Sequence, residues 1–274
     1  MKQLFQIAGG EKSGTTQPVL SIRVGEKHCC FSITDFITKE LKSLAYYSTD
    51  IVNDNFLTDF FSVHPELNES FYQVLVCYDY SYSSLVSFDD YKHGEGGLLL
   101  NALFGLNSTA TVIAESIAGW QVYNVYAVPE DVHEWINKKF IAGKYFNQYT
   151  VNIKNIKPAK EEVMMLIDFR KDDFTVLAAG NNKILLTQTF LYLTPDDVLY
   201  YLLKICQQFG LSQQEVHISL SGLVDQQSAL YRELYQYFLN VEFRNAEWII
   251  PASVNNESPL HFFTSLNDLS KCAS

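Results

Sequence analysis

The sequence predicts an α/β protein built from two similar halves, each with three strands followed by a helix, a strand and a second helix. Three observations lead to this prediction. Residues 163–192 read as three consecutive strands, broken at "RKDD" and "GNNK". The next segments, "TPDDVLYYLLKICQQFG", "EVHISLSG" and "QQSALYRELYQYFL", have the periodicities of a helix, a strand and a helix. The first half opens with a similar run of three strands.

The first helix of the second half has clear end signals. Thr194 stands at the N-cap, Pro195 opens the helix, Asp197 completes a Thr-x-x-Asp box, and Gly210 ends it. The strand turn before it contains Gly180, Asn181 and Asn182, residue types that tolerate left-handed backbone. Local residue chemistry alone therefore fixes both ends of this helix.

In the first half, "VLSIRVGEKHCCFSITD" predicts two strands around a turn near Gly25, and "ELKSLAYYST" predicts a third. "NDNFLTDFFSVHPEL" predicts a helix capped at Asp54 and Asn55, and "FYQVLVCYDY" a strand. Downstream, we expect a short buried helix in "GGLLLNALFGL", a strand in "QVYNVYAVP", a helix in "PEDVHEWINKKF" and a strand in "QYTVNI". The polar stretch 154–162 with Pro158 predicts a domain boundary, giving lobes at 17–158, with an inserted segment, and 159–274.

Composition excludes several classes of function. A net charge of −11 disfavours nucleic-acid binding, which needs a basic face. The apolar runs are shorter than the ~20 residues of a membrane span, and no targeting segment is visible. The five cysteines form no CxxC pair, so we expect no metal site and reduced thiols in a cytoplasmic protein.

The halves align when Ser21-Ile22-Arg23 is placed beside Asp168-Phe169-Arg170, an offset of 147 (168 − 21). This order of elements, present twice, resembles the ribonuclease H-like lobes of the actin, sugar-kinase and Hsp70 ATPases, and the type IV pilus assembly ATPase-like proteins. In length and layout the chain is similar to an uncharacterised bacterial family, a domain of unknown function with the actin-like ATPase fold. The resemblance implies two such lobes with mixed sheets and flanking helices.

The resemblance also implies where a nucleotide would bind. In these ATPases each run of strands begins with Asp-x-Gly, whose acid positions magnesium and whose glycine opens backbone N–H groups to phosphate. In this alignment the first copy, Ser21-Ile22-Arg23, lacks both residues, and the second, Asp168-Phe169-Arg170, keeps only the acid. A third motif, Gly-Gly beside the adenosine, falls at Ser221-Gly222. The candidate cofactor-binding residues are therefore Asp168, Arg170, Ser221 and Gly222.

Two interpretations of these residues remain open. In one, Asp168 merely ends a strand, Gly222 supplies a backbone angle, and the protein is a cytoplasmic interaction or scaffold protein, without catalytic residues or cofactor, whose partner is another protein. In the other, it is a divergent ATP-binding protein or weak ATPase that holds ATP with Mg²⁺ in the cleft between the lobes. A Walker-like "GGEKSGTT" at 9–16 has threonine where lysine is required, which favours a flexible arm.

Overall fold

The structure is a computed structural model that describes residues 1–7, 17–106, 109–156, 162–250 and 258–273. The Walker-like segment 9–16 and the predicted boundary at 158/159 lie outside these ranges. The chain divides into two compact units: Met1–Val151 with Trp248–Ser258 and Leu266–Ser274, and Asn152–Glu247 with Pro259–Ser265.

The first unit contains two sheets. In chain order, the unit begins with β1 (Lys2–Ile7), β2 (Pro18–Gly25), β3 (His28–Asp35), β4 (Leu41–Ser48), α1 (Asp54–Val63) and β5 (Gln73–Asp79). Next come β6 (Ser83–Ser87), α2 (Gly96–Phe104), β7 (Ala110–Ile117), β8 (Val122–Pro129), α3 (Glu130–Lys139), β9 (Lys144–Asn147) and α4 (Gln148–Lys154). The strand orders are β1-β4-β3-β2-β5-β9 and β6-β8-β7.

The second unit has one five-stranded sheet. Its elements are β10 (Met164–Phe169), β11 (Asp173–Gly180), β12 (Lys183–Leu191), α5 (Pro195–Phe209), β13 (His217–Gly222), α6 (Ala229–Tyr237) and β14 (Asn240–Phe243). The strand order β12-β11-β10-β13-β14 repeats the order β4-β3-β2-β5-β9 of the first unit. The final helix, α7 (Thr264–Ser270), begins in the second unit and continues into Leu266–Ser274 of the first, and Phe263, Leu266 and Leu269 are buried.

Each sheet is covered on one face by helices that the sequence predicts. In the first unit, apolar side chains of β2, β3 and β5 pack against the buried faces of α1 and α3. In the second, Met165, Ile167 and Phe169 of β10 pack with the apolar faces of α5 and α6. Side chains alternate along a strand. The residues between these apolar ones, such as Arg23 in β2 and Asp168 in β10, therefore lie on the opposite face of their sheets.

Several local predictions are confirmed. Thr194 and Asp197 form the reciprocal capping box of α5, and Gly210 ends the helix in left-handed backbone. Asn181 and Asn182 have positive φ angles of 52° and 59°. All five cysteines are free, and Cys272 is the one that is not buried.

Other local predictions are wrong. Residues 148–153, predicted as a strand, lie in α4, because polar and apolar side chains alike are buried there and their alternation does not mark an exposed face. The helix α2, predicted to be buried, exposes Leu98 and Leu103. The N-cap of α1 is Asn53, whose side chain accepts a hydrogen bond from the Phe56 N–H at 2.9 Å, rather than Asp54 or Asn55.

Candidate functional site

The strand register corrects the alignment of the two halves. The last residue pair before the first turn is Val24 with Cys29, and before the second turn it is Phe169 with Phe174. Each hairpin therefore turns through four residues, so Arg23 corresponds to Asp168 and Gly25 to Arg170, an offset of 145 (168 − 23) rather than 147. The first motif is Arg23-Val24-Gly25, so it has an arginine at the position of the acid and keeps the glycine.

The parallel neighbours support this correspondence. Arg23 lies opposite Cys77 on β5, and Asp168 lies opposite Ser221 on β13. One position further on, the neighbours are Tyr78 and Gly222. The two units thus have four equivalent backbone positions that carry different side chains: Arg23 and Asp168, Gly25 and Arg170, Cys77 and Ser221, and Tyr78 and Gly222.

In the first unit, the arginine is held in a buried ion pair. Arg23 is 2 % exposed, and its Nη2 and Nε lie 2.8 and 3.1 Å from Oδ2 of Asp79, at the end of β5. The same oxygen lies 3.1 Å from Nε2 of His28, which stacks on Tyr46. Burial raises the pKa of the neighbouring Cys77 thiol, and the charge of Arg23 opposes that rise.

The His28 ring also occupies the space beside Gly25. A Cβ atom added to Gly25 would lie 2.3 Å from Cε1 and 2.7 Å from Nδ1 of His28. The absence of a side chain at Gly25 therefore makes room for the imidazole in this structure. The glycine is kept, but the volume it leaves open is filled from within the chain.

In the second unit, the acid lies in a buried polar cluster. Oδ1 of Asp168 accepts a hydrogen bond from the Ser221 hydroxyl at 3.0 Å, and Oδ2 lies 3.7 Å from Nη1 of Arg170. Arg170 also donates through Nε to Asp173 and through Nη2 to Oγ1 of Thr175 at 2.9 Å. Arg170 is 4 % exposed, so its guanidinium is directed into the unit.

The predicted residues Asp168, Arg170 and Ser221 therefore come together in the structure, and Gly222 has a separate role. Gly222 has φ +79°, and an added Cβ would lie 2.1 Å from the carbonyl oxygen of Phe169. That carbonyl accepts a hydrogen bond from the Leu223 N–H at 2.8 Å. Glycine is required here because the ends of β10 and β13 approach closely.

Tyr192 covers the second turn. Its hydroxyl donates to the carbonyl oxygen of Arg170 at 3.1 Å. Burial raises the pKa of the Tyr192 phenol, and the nearby charges of Asp173 and Asp172 add to the increase. The phenol thus stays neutral and acts as a donor near neutral pH.

Sequence reasoning missed the partners of Arg23. Asp79 is 56 residues away, and only the parallel pairing of β2 with β5 brings the two together. The available signal was an arginine inside an apolar strand, "VLSIRVG", and an acid ending another, "VLVCYD", because buried charges require partners.

A second buried polar network was also missed. Nδ2 of Asn124 donates to Oδ1 of Asn147 and to Oγ1 of Thr150, each at 3.0 Å, and Ser83 donates to Asn124. These bonds join β6, β8, β9 and α4 within the first unit. The network is therefore a structural element of the first unit.

Among the described residues, no group of three or more His, Cys, Asp or Glu side chains is placed to hold a metal ion. In the same ranges, no helix is long and apolar enough to cross a membrane.

Residues 11–241 match the family described as "Protein of unknown function (DUF3822)". The chain belongs to this family. The chain is also similar to a crystal structure from Bacteroides thetaiotaomicron VPI-5482, a protein with actin-like ATPase fold and unknown function. The two share 19 % identity over 94 % of this chain and 96 % of that one, with a TM-score of 0.77. The DUF3822 chain therefore has the actin-like ATPase fold, as its sequence predicts.

A second solved structure similar to the chain is the PilM-PilN type IV pilus biogenesis complex. It shares 11 % identity, covers 93 % of this chain and 98 % of that one, and gives a TM-score of 0.56. No curated protein matches the sequence significantly. This likeness agrees with the resemblance to type IV pilus assembly ATPase-like proteins that the sequence shows.

Proposed function

We propose that this DUF3822 protein is a non-enzymatic, cytoplasmic interaction or scaffold protein that keeps the actin-like ATPase fold without a working nucleotide site. One observation carries the proposal: an arginine stands in each copy of the phosphate motif. Arg23 takes the position of the first acid, Arg170 takes the position of the second glycine, and both are buried in ion pairs.

The first turn lacks the chemistry for a metal-bound phosphate. Mg²⁺ is bound through carboxylates and phosphate oxygens, and a guanidinium at the acid's position repels the cation. Asp79, the carboxylate beside Arg23, is engaged by Arg23 and His28. The imidazole beside Gly25 fills the space where a phosphate would approach the backbone.

The second turn keeps the carboxylate but directs it inward. Asp168 accepts from Ser221 and lies beside Arg170, whose own side chain replaces the hydrogen atom of a glycine. A glycine lets backbone N–H groups approach phosphate oxygens, and an arginine held by Asp168, Asp173 and Thr175 restricts that approach. These contacts favour a structural role for the cluster.

Two further observations support the rest of the proposal. The five free thiols are typical of a reducing compartment, which favours the cytoplasm. The structural neighbour PilM is recorded in a complex with a protein partner, PilN, which favours a protein as the partner here too.

The second candidate is a divergent ATP-binding protein or weak ATPase. It is favoured by the retention of Asp168 at a strand end, with an arginine beside it, because arginine pairs strongly with phosphate oxygens. In this function, Arg170 would leave Asp173 and contact the nucleotide while Asp168 positions Mg²⁺.

A thermal-shift experiment with Mg-ATP separates the two functions. Ligand binding stabilises the native state by about 2.7 kcal/mol when the ligand is at 100 times its Kd. We expect no rise in Tm and no ATP turnover at millimolar Mg-ATP. The matched variant is Asp168→Asn, which keeps the side-chain shape but removes the charge. A rise in Tm, or ATP hydrolysis, that is present in the wild type and lost in this variant would establish the second candidate.

A further inference from the structure

The outer edge of β12 has the features of a strand that pairs with another chain. Within the described residues, β12 lies at the end of its sheet and pairs with β11 alone. It is nine residues long, and residues 184–191, "ILLTQTFL", carry no charge and no proline. Long uncharged edge strands are rare in monomers because their exposed backbone groups promote pairing.

The other edge of the same sheet is protected. Strand β14 has only four residues and includes Glu242, whose carboxylate accepts from Ser219. Short strands and charged side chains are the usual means of preventing edge pairing. In β12, one bulge at Leu185 interrupts the register with β11, which leaves 186–191 as a regular segment.

We propose that β12 pairs antiparallel with β12 of a second copy of this chain, so that two five-stranded sheets become one continuous sheet. A two-fold axis perpendicular to the sheet produces this pairing, and it requires facing residues to lie on the same side. We place the axis at Gln188, because Leu186 and Phe190, which both pack against the apolar cluster that includes α5, are then equally distant from it. Leu186 then faces Phe190 of the second copy, an aliphatic–aromatic pair of a stabilising type.

Charge distribution favours a second copy in this orientation. Lys183 is the single charge of β12 and lies at its first position. In the antiparallel arrangement it lies far from Lys183 of the second copy and near the opposite strand end. Near that end lies the exposed carboxylate of Asp196, in the first turn of α5. A parallel arrangement would place the two lysines side by side.

Apolar surface beside the edge enlarges this interface. Leu191 is 73 % exposed and Leu193 94 % exposed at the end of the strand. On the α5 side, Phe190 stacks on Tyr201 with ring centroids 4.4 Å apart, and Tyr201 contacts Tyr200, which is 60 % exposed. Strand pairing alone buries less than the about 1,200–2,000 Å² of a stable interface. In the proposed dimer, the exposed side chains of Leu191, Leu193 and Tyr200 supply the additional contact.

The experiment is sedimentation velocity of the full chain over a wide concentration range. We expect a concentration-dependent dimer. Gln188→Lys places two like charges opposite each other on the axis and is expected to weaken the dimer about tenfold or more. Because Gln188 is exposed, the variant keeps its fold, which an unchanged circular-dichroism spectrum verifies. The matched control is Leu239→Lys, an exposed residue directly before β14, and it leaves the dimer constant unchanged.

A covalent test gives an independent readout. Gln188→Cys brings two exposed thiols together on the axis, so mild oxidation is expected to yield a disulfide-linked dimer, whereas Leu239→Cys is expected to give no disulfide-linked dimer. A wild-type chain that stays monomeric at every concentration overturns the proposal, and leaves β12 to a different partner. A dimer that Gln188→Lys does not weaken, or that Leu239→Lys weakens equally, also overturns it.

Discussion

Replacing Gly222 with alanine tests whether this glycine is required by backbone packing. Two effects add. Left-handed backbone is about 1–2 kcal/mol less favourable for an L-residue than for glycine. In addition, the new Cβ would lie 2.1, 2.7 and 2.9 Å from the O, N and C atoms of Phe169, all backbone atoms that cannot rotate away. Forcing extra volume into a packed site destabilises by about 1–3 kcal/mol.

The matched control is Gly210→Ala in the same unit. Gly210 has φ +64°, but an added Cβ would meet nothing within 4 Å, so only the conformational effect applies. We expect Gly222→Ala to be about 2 kcal/mol less stable than Gly210→Ala. For a chain of this size, that difference corresponds to a Tm lower by about 4–8 °C.

Urea unfolding and differential scanning calorimetry measure both variants under the same conditions. Equal losses of stability in the two variants would refute the close approach of β10 and β13 as the reason for Gly222. A stabilised Gly222→Ala would refute the left-handed conformation as well.

Three further outcomes are expected. Asp168→Ala leaves the buried Arg170 with fewer acid partners and is expected to lower the free energy of unfolding by about 3 kcal/mol, measured in urea; a loss below about 1 kcal/mol would contradict the ion pair. Thr194→Ala removes the N-cap of α5 and is expected to cost about 1 kcal/mol, whereas an unchanged urea midpoint would show that the cap is unimportant. Burial lowers the pKa of His261, whose Nε2 lies 2.7 Å from the Val224 carbonyl oxygen, so the folded state binds fewer protons than the unfolded state. Its contribution is present above the unfolded pKa of about 6.5 and is lost as pH falls below it; an NMR titration giving His261 a pKa above 6.5 would contradict this.

Local signals predicted the second unit well. The capping box of α5 and the asparagine turn depend on residues within a few positions of each other, so the sequence contains all the information that they need. The repeated order of strands and helices was also visible, because each strand and helix has its own hydrophobic period.

Features that depend on distant residues were not predictable in the same way. The alternation in "QYTVNI" indicated a strand, but residues 148–153 form part of α4. All six are buried, so the segment has no exposed polar face and its sequence does not show the helical period. The alignment of the two motifs was wrong by two residues, because the turn positions follow from strand register and not from composition. The partner of Arg23 required the pairing of β2 with β5.

Because the His28 imidazole lies beside Gly25, the two turns would need different changes before either could accept an anion. An imidazole is a side chain that one substitution at position 28 can shrink, with the glycine backbone already in place beneath it. At the second turn, the obstacle is residue 170 itself, whose guanidinium also supports Asp173 and Thr175. Removing it would disturb the backbone position that the phosphate approaches, whereas shrinking His28 gives up only side-chain contacts such as those with Asp79 and Tyr46, so an anion-accepting turn is more readily engineered in the first unit.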